Sequence, residues 1–202
     1  MKPIIIISFL LFLCGNMNAQ FVHYAVIVKH DSTQMECFAR FPAKKSSKTI
    51  KFKTGEDEKF QKMKSSEIMT IRYFLNEEEY VEKEYIPYLR AHDVIKGREK
   101  YADPVWMDVI ERGKITLFLN AVKDKSSRWR KYHYNYYYCR KENEVAIEMA
   151  ITGDIHILHG YAVDYFAESP YVSEKIKRCK EMLCRVSADA FITMVEIYNS
   201  GE

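Results

Sequence analysis

The sequence predicts an α+β protein: an N-terminal antiparallel β-sheet, with partial closure into a barrel as one outcome, followed by about three C-terminal α-helices. Three observations predict it. Tyr132, Tyr134, Tyr136 and Tyr138 alternate with His133, Asn135 and Tyr137, so the four tyrosines share one face of an extended arm about 20 Å long. After a polar stretch at 140–144, Val145, Ile147, Met149 and Ile151 alternate with Ala146, Glu148 and Ala150 as the returning arm of a hairpin. Just past Ile151 the two-residue period gives way to helical spacing. The expected organisation is a signal segment at 1–19, a β region at 20–151 and a helical region at 152–202 packed on it.

The N-terminus reads as an export signal. Lys2 is a short positive region and Ile4 to Leu13 is an apolar run too short to span a bilayer. Asn16, Met17, Asn18 and Ala19 precede Gln20, making the Ala19–Gln20 bond the expected cleavage point. Cys14 raises a lipidated cysteine as a rival, but Leu13 is large for the position before such a site. The formal charge is +3, and loss of Lys2 leaves 30 Lys and Arg against 28 Asp and Glu, or +2. So small a net charge gives no pull toward nucleic acid or anionic lipid. The expected contact with a membrane is through the signal segment alone.

The first strand covers 21–29, with Val22, Tyr24, Val26 and Val28 on one face. His30, Asp31, Ser32 and Thr33 supply turn chemistry, because short polar side chains bond the nearby backbone. Met35, Cys37, Ala39 and Phe41 then alternate with Gln34, Glu36, Phe38 and Arg40, which puts Cys37 inside. A polar loop follows at 42–47, after which Ile50 and Phe52 alternate with Lys51 and Lys53 in a short, half-buried strand. The chain turns at 54–57, passes Phe60 and Met63, and enters another strand at 68–74. Acidic residues at 76–79 make a solvated turn. Residues 80–90 read as a strand that Pro87 breaks or confines to an edge, since proline cannot donate to the ladder. Residues 91–104 read as loop. Residues 105–111 and 114–122 form a hairpin in which Gly113 is expected to supply a positive φ.

In the helical region Tyr161, Ala162, Tyr165 and Phe166 recur at helical spacing. Ser169 and Pro170 form an N-cap with proline at the first helical position. Val172, Ile176, Cys179 and Leu183 make one apolar stripe, and Ala188, Phe191, Ile192, Val195 and Tyr198 make the next, capped by Ser187 and ended by Gly201.

These motifs, with Ile50 to Lys53, Ser66 to Ile68, Lys114 to Leu117, Tyr136 to Tyr138, Phe166 to Pro170 and Val195 to Asn199 in that order, resemble those of uncharacterised exported proteins of Bacteroidota. The resemblance covers most of the mature chain and implies no activity or catalytic residues. One departure is the first hairpin turn, which carries no glycine here.

The chain contains no nucleophile elbow, phosphate-binding glycine loop, dinucleotide fingerprint, zinc-protease helix or paired CxxC. Asp154, His156 and His159 could hold zinc if a fourth ligand joined, or simply cap backbone between sheet and helices. His133 lies among phenols, but no carboxylate or nucleophile is tied to it by sequence. No cofactor is expected. Cys37, Cys139, Cys179 and Cys184 permit three disulfide pairings. A helix shared by Cys179 and Cys184 would turn them about 140° apart, which forbids a bridge between them. Trp129, Tyr132, Tyr134, Tyr136 and Tyr138 form the candidate ligand face, offering rigid amphipathic rings to a partner; the alternative is cross-strand packing. Arg40, Lys44, Lys45, Lys48, Lys51 and Lys53 read as a solvated basic edge.

These readings favour an exported, non-enzymatic protein of the envelope or medium that binds another envelope protein or a glycan. The alternatives are a hydrolase with a dispersed site around His133, His156 and His159, and an accessory subunit of an envelope assembly.

Overall fold

The structure is a computed structural model that describes residues 21–124, 132–153, 157–181 and 186–201. The expected signal segment with its cleavage point at Ala19 and Gln20, together with Trp129, Asp154, His156, Leu183 and Cys184, lies outside the described residues, as does the side chain of Tyr132.

The fold is α+β. Among the described residues eleven strands form one sheet: β1 Val22–Lys29, β2 Gln34–Arg40, β3 Thr49–Lys53, β4 Gln61–Lys64, β5 Ile68–Phe74, β6 Tyr80–Leu89, β7 Tyr101–Glu111, β8 Ile115–Asp124, β9 Tyr132–Lys141, β10 Ala146–Thr152 and β11 Ile157–Leu158. Their spatial order is β11-β10-β9-β8-β7-β6-β5-β1-β2-β3-β4. Neighbours are antiparallel, and β10 returns to pair in parallel with β6 through Ala146 with Tyr88 and Ile147 with Leu89. Strands β6 to β10 thereby make a partial ring of five.

The two halves of the sheet bury opposite faces. In the N-terminal half the buried set is Ala25, Ile27, Cys37, Ala39, Ile71 and Tyr73, with Trp106 of β7 against them. In the ring the buried set is Ile86, Met107, Phe118, Tyr138 and Ala146. Successive residues of β6 and β7 therefore serve different cores: Tyr85 and Trp106 pack in the first, Ile86 and Met107 in the second. A strand buried on both faces loses its polar alternation, and β8 shows this again with Leu117 and Phe118 both buried.

Helices α1 Ala91–Ile95, α2 Ala162–Tyr165, α3 Pro170–Glu181 and α4 Ala188–Ser200 complete the chain. The last three cover the outer side of the ring, where Ala162, Phe166, Val172, Ile176, Phe191 and Val195 pack on Ile115, Leu117, Tyr137, Cys139 and Met149. Ser187 caps α4 by accepting from the Ala190 N–H at 3.1 Å, and Gly201 ends it at φ 82°. Among the described residues no helix is long and apolar enough to cross a membrane.

Several expectations change. On β1, Val22, Tyr24, Val26 and Val28 do share one face, and it is the opposite face, with Ala25 and Ile27, that is buried. Pro87 occupies neither a break nor an edge: β6 is central, and the proline sits where the β6–β7 register shifts between Ile86 and Tyr88, a bulge that has no need of its N–H. The segment at 91–104 holds α1 and the start of β7. Gly113 is not among the positive-φ glycines; it is glycine because a Cβ there would lie 2.3 Å from Asn199 Cγ. In the first turn Ser32 takes φ 67°, and Asp31 Oδ1 holds the turn by accepting from the Thr33 N–H at 2.9 Å, so an Asx contact replaces the glycine.

Candidate functional surface

Of the β9 tyrosines, Tyr138 and Tyr136 turn into the ring. Tyr138 is 2% exposed, meets Tyr88 edge-on with centroids 4.9 Å apart, and shares a hydrogen bond with Asn120. Burial pushes its phenol far above the usual range, with the charge of Glu148 adding to the effect. Tyr134 and Tyr136 are half-buried along the same face. The helices cover the opposite face of β9, through Tyr137 and Cys139. The ring thus absorbs Tyr138 as core rather than presenting it.

Five other aromatic residues do lie on an open face. The outward positions of the N-terminal half line up across strands because Tyr24 pairs with Phe38, and Phe74 with Tyr80. Tyr24 also meets Phe74 at 5.5 Å between centroids, Phe38 at 6.1 Å, and Phe74 meets Tyr80 at 5.9 Å. Phe60 extends the row beyond β3, where Lys53 lies 5.8 Å from both Phe38 and Phe60. Tyr24 is 41% and Tyr80 53% exposed. Val22 and Phe21 add exposed apolar surface beside Tyr24. The result is one rung of the sheet, from β4 to β6, made of rings with cations over them: Arg40 over Phe60 at 4.2 Å and Arg72 over Tyr80 at 5.7 Å. A hydrogen bond to Glu36 raises the Tyr24 phenol above its ordinary value, so Tyr24 donates to that carboxylate.

This face runs into the mouth of the ring. There Glu82 and Glu84, two residues apart on β6, are almost fully buried. Arg112 bridges them at 2.8 and 2.6 Å, Arg140 reaches Glu84 at 2.8 Å, and Thr70 donates to Glu82 at 2.8 Å. Burial alone would raise the Glu82 carboxyl, but the bonds from Arg112 and Thr70 and the charges of Arg112 and Arg72 outweigh it and hold it below the usual range. A fully paired network of this kind fixes side chains; it leaves no carboxylate free to act as a base.

Lys45 locks the two halves together. Strands β7 and β8 pair only from Asp108 to Glu111 against Leu117 to Leu119. Into the gap beyond, Lys45 accepts from the Trp106 N–H at 2.8 Å and sends its ammonium to Asn120 Oδ1 at 2.5 Å and to the Ala121 carbonyl. Burial pushes this lysine down to about 8. Lys45 is therefore a half-buried strut rather than part of a solvated edge.

Among the described residues no group of three metal-ligating side chains occurs. His159 Nε2 lies 3.2 Å from Glu148 Oε1, and its ring stacks on Tyr161 at 5.6 Å. An imidazole oriented by a carboxylate is two parts of a catalytic triad, but no hydroxyl or thiol among the described residues hydrogen-bonds His159. His133 is exposed on β9 opposite Lys123. Cys37 and Cys139 are buried free thiols; burial pushes Cys37 up to about 11 and Cys139 further, which leaves both protonated and unreactive. Cys179 is half-buried against the helical core.

No protein-family model, no curated protein and no solved structure matches the chain.

Proposed function

We propose that the protein is an exported, non-enzymatic binding module of the envelope or medium, and that its ligand surface is the outward face of β2, β1, β5 and β6. The observation that carries this reading is the aromatic rung Phe38, Tyr24, Phe74 and Tyr80, open on one side, with each ring against the next, Tyr24 edge-on to Phe38 and the other pairs tilted. Such rings offer large contact area at little entropic loss, because neighbouring rings already fix their rotamers. The partner is an envelope protein or a glycan, as the export signal implies. A hydrolase centred on His159 lacks a nucleophile among the described residues, and a role as accessory subunit would bury this same rung.

The test compares wild-type protein with a Tyr24→Ala/Tyr80→Ala variant in a glycan screen and in capture from envelope extract. Tyr24 is 41% and Tyr80 53% exposed, and circular dichroism verifies that the variant folds. The expected result is at least one partner held by wild type and lost by the variant. Partners retained equally by both would place the ligand surface elsewhere.

A further inference from the structure

We infer that the partner of this face is an acidic polysaccharide, an inference that rests on the surface proposed above. The rung next to the aromatic one is cationic across three strands. Lys51 lies directly opposite Lys62 on β3 and β4. The β2–β3 register, Phe38 against Lys53 and Ala39 against Phe52, brings Arg40 beside Lys51 at its next step. Like charges directly opposite each other destabilise an antiparallel pair, and no salt bridge among the described residues engages Lys51, Lys62 or Arg40. Arg40 Nε is moreover buried with no hydrogen-bond partner among the described residues, although its guanidinium lies over Phe60. On the outward positions of β1 to β4 the only carboxylate among the described residues is Glu36, and it accepts from Tyr24. The fold holds a repulsive set of cations beside a row of rings, and an anion laid along them would relieve it.

The pairing of the two rungs selects the chemistry. An acidic polysaccharide presents C–H faces to the rings, hydroxyls to Tyr24 and Tyr80, and regularly spaced carboxylates to Arg40, Lys51 and Lys62. An acidic peptide in extended form would instead seek the open outer edge of β4, an edge strand of four residues that carries Lys62 and Lys64. Single-stranded nucleic acid needs similar rings and cations, but the near-neutral chain and the export signal set it apart.

The experiment measures binding of the purified protein to polygalacturonate and alginate, with dextran, oligo(dT) and polyglutamate alongside, at low and high salt. Expected is an affinity for the uronate polymers about tenfold or more above that for dextran, weakening as salt rises. Lys51→Gln/Lys62→Gln and Tyr24→Ala/Tyr80→Ala should each weaken it about tenfold, which corresponds to 1.4 kcal/mol. Circular dichroism verifies that both variants fold. Uronate binding no tighter than dextran, or weaker than oligo(dT) or polyglutamate, overturns the inference. A neutral glycan or protein held through Tyr24 and Tyr80 but indifferent to Lys51 and Lys62 also overturns it, while leaving the proposed surface intact. Uronate binding indifferent to Tyr24 and Tyr80 would sink both.

Discussion

Asn199 closes two hydrogen bonds on the backbone of Ile115: its Oδ1 accepts from the Ile115 N–H at 2.9 Å and its Nδ2 donates to the Ile115 carbonyl at 3.0 Å. The last turn of α4 thus satisfies the first residue of β8 as a neighbouring strand would. Gly113 leaves the room for this contact. Glu168 adds a second tie, accepting from Tyr198 at 2.9 Å and from Lys141 at 2.6 Å.

Asn199→Ala should destabilise the protein by about 1–3 kcal/mol, because two backbone groups lose their partner. Gly113→Ala should lose a similar amount by driving a methyl group into Asn199. Combined, the two should lose clearly less than their sum, since alanine at 199 removes the Cγ and Nδ2 that the new methyl would meet at 2.3 and 2.6 Å and leaves only the Cβ, at 2.7 Å, to shift. Urea unfolding of the four proteins checks this; strict additivity would show that the two residues do not touch.

The two sets of aromatic residues should respond in opposite ways. Tyr138→Ala should lose about 3–5 kcal/mol, as expected for emptying a ring-sized space in a packed interior. Tyr80→Ala should change stability by less than about 1 kcal/mol, as exposed substitutions do. Thermal unfolding followed by circular dichroism distinguishes them.

Lys45 should titrate near pH 8 rather than near 10.5. Because a lysine whose folded value is depressed binds fewer protons folded than unfolded, its contribution to stability rises between pH 8 and 10.5 and is lowest below pH 8. Carbon-13 methyl labelling of the lysines, read by NMR across that range, should show one resonance moving about two units before the rest, absent in Lys45→Arg. A single shared midpoint would contradict the half-buried strut.

The ring mouth should be the acid-sensitive part. The folded value of Glu82 is depressed, so its stabilising contribution is present above the ordinary carboxylate range and is lost as pH falls through the folded value. Glu82→Gln should lower stability at neutral pH and flatten the decline on acidification. An unchanged acid profile in that variant would assign the decline to other carboxylates.

How much of this was legible depends on the length of the signal. The β9 and β10 alternation and the stripes of α3 and α4 extend over many residues and read directly. The buried face of β1 did not, because Val22, Tyr24, Val26 and Val28 are as apolar as His23, Ala25 and Ile27; period two marks a strand but not which side is covered. The five residues of α1 are too few for a helical period to emerge. The β9 tyrosines drew attention because they are consecutive in sequence. The exposed rung draws Phe38, Tyr24, Phe74 and Tyr80 from four strands, and only register brings them together. Its one local trace was Lys51 and Lys53 alternating with Ile50 and Phe52, which did mark the outward side.

Hydroxyl-radical footprinting of the free protein, resolved to single tyrosines, tests the central claim most directly: the aromatic row through Tyr24 and Tyr80 is presented to partners while Tyr138 is buried in the ring. Rapid oxidation of Tyr24 and Tyr80 with strong protection of Tyr138 is the predicted pattern. Tyr138 oxidising as fast as Tyr80, or Tyr24 as slowly as Tyr138, would contradict it.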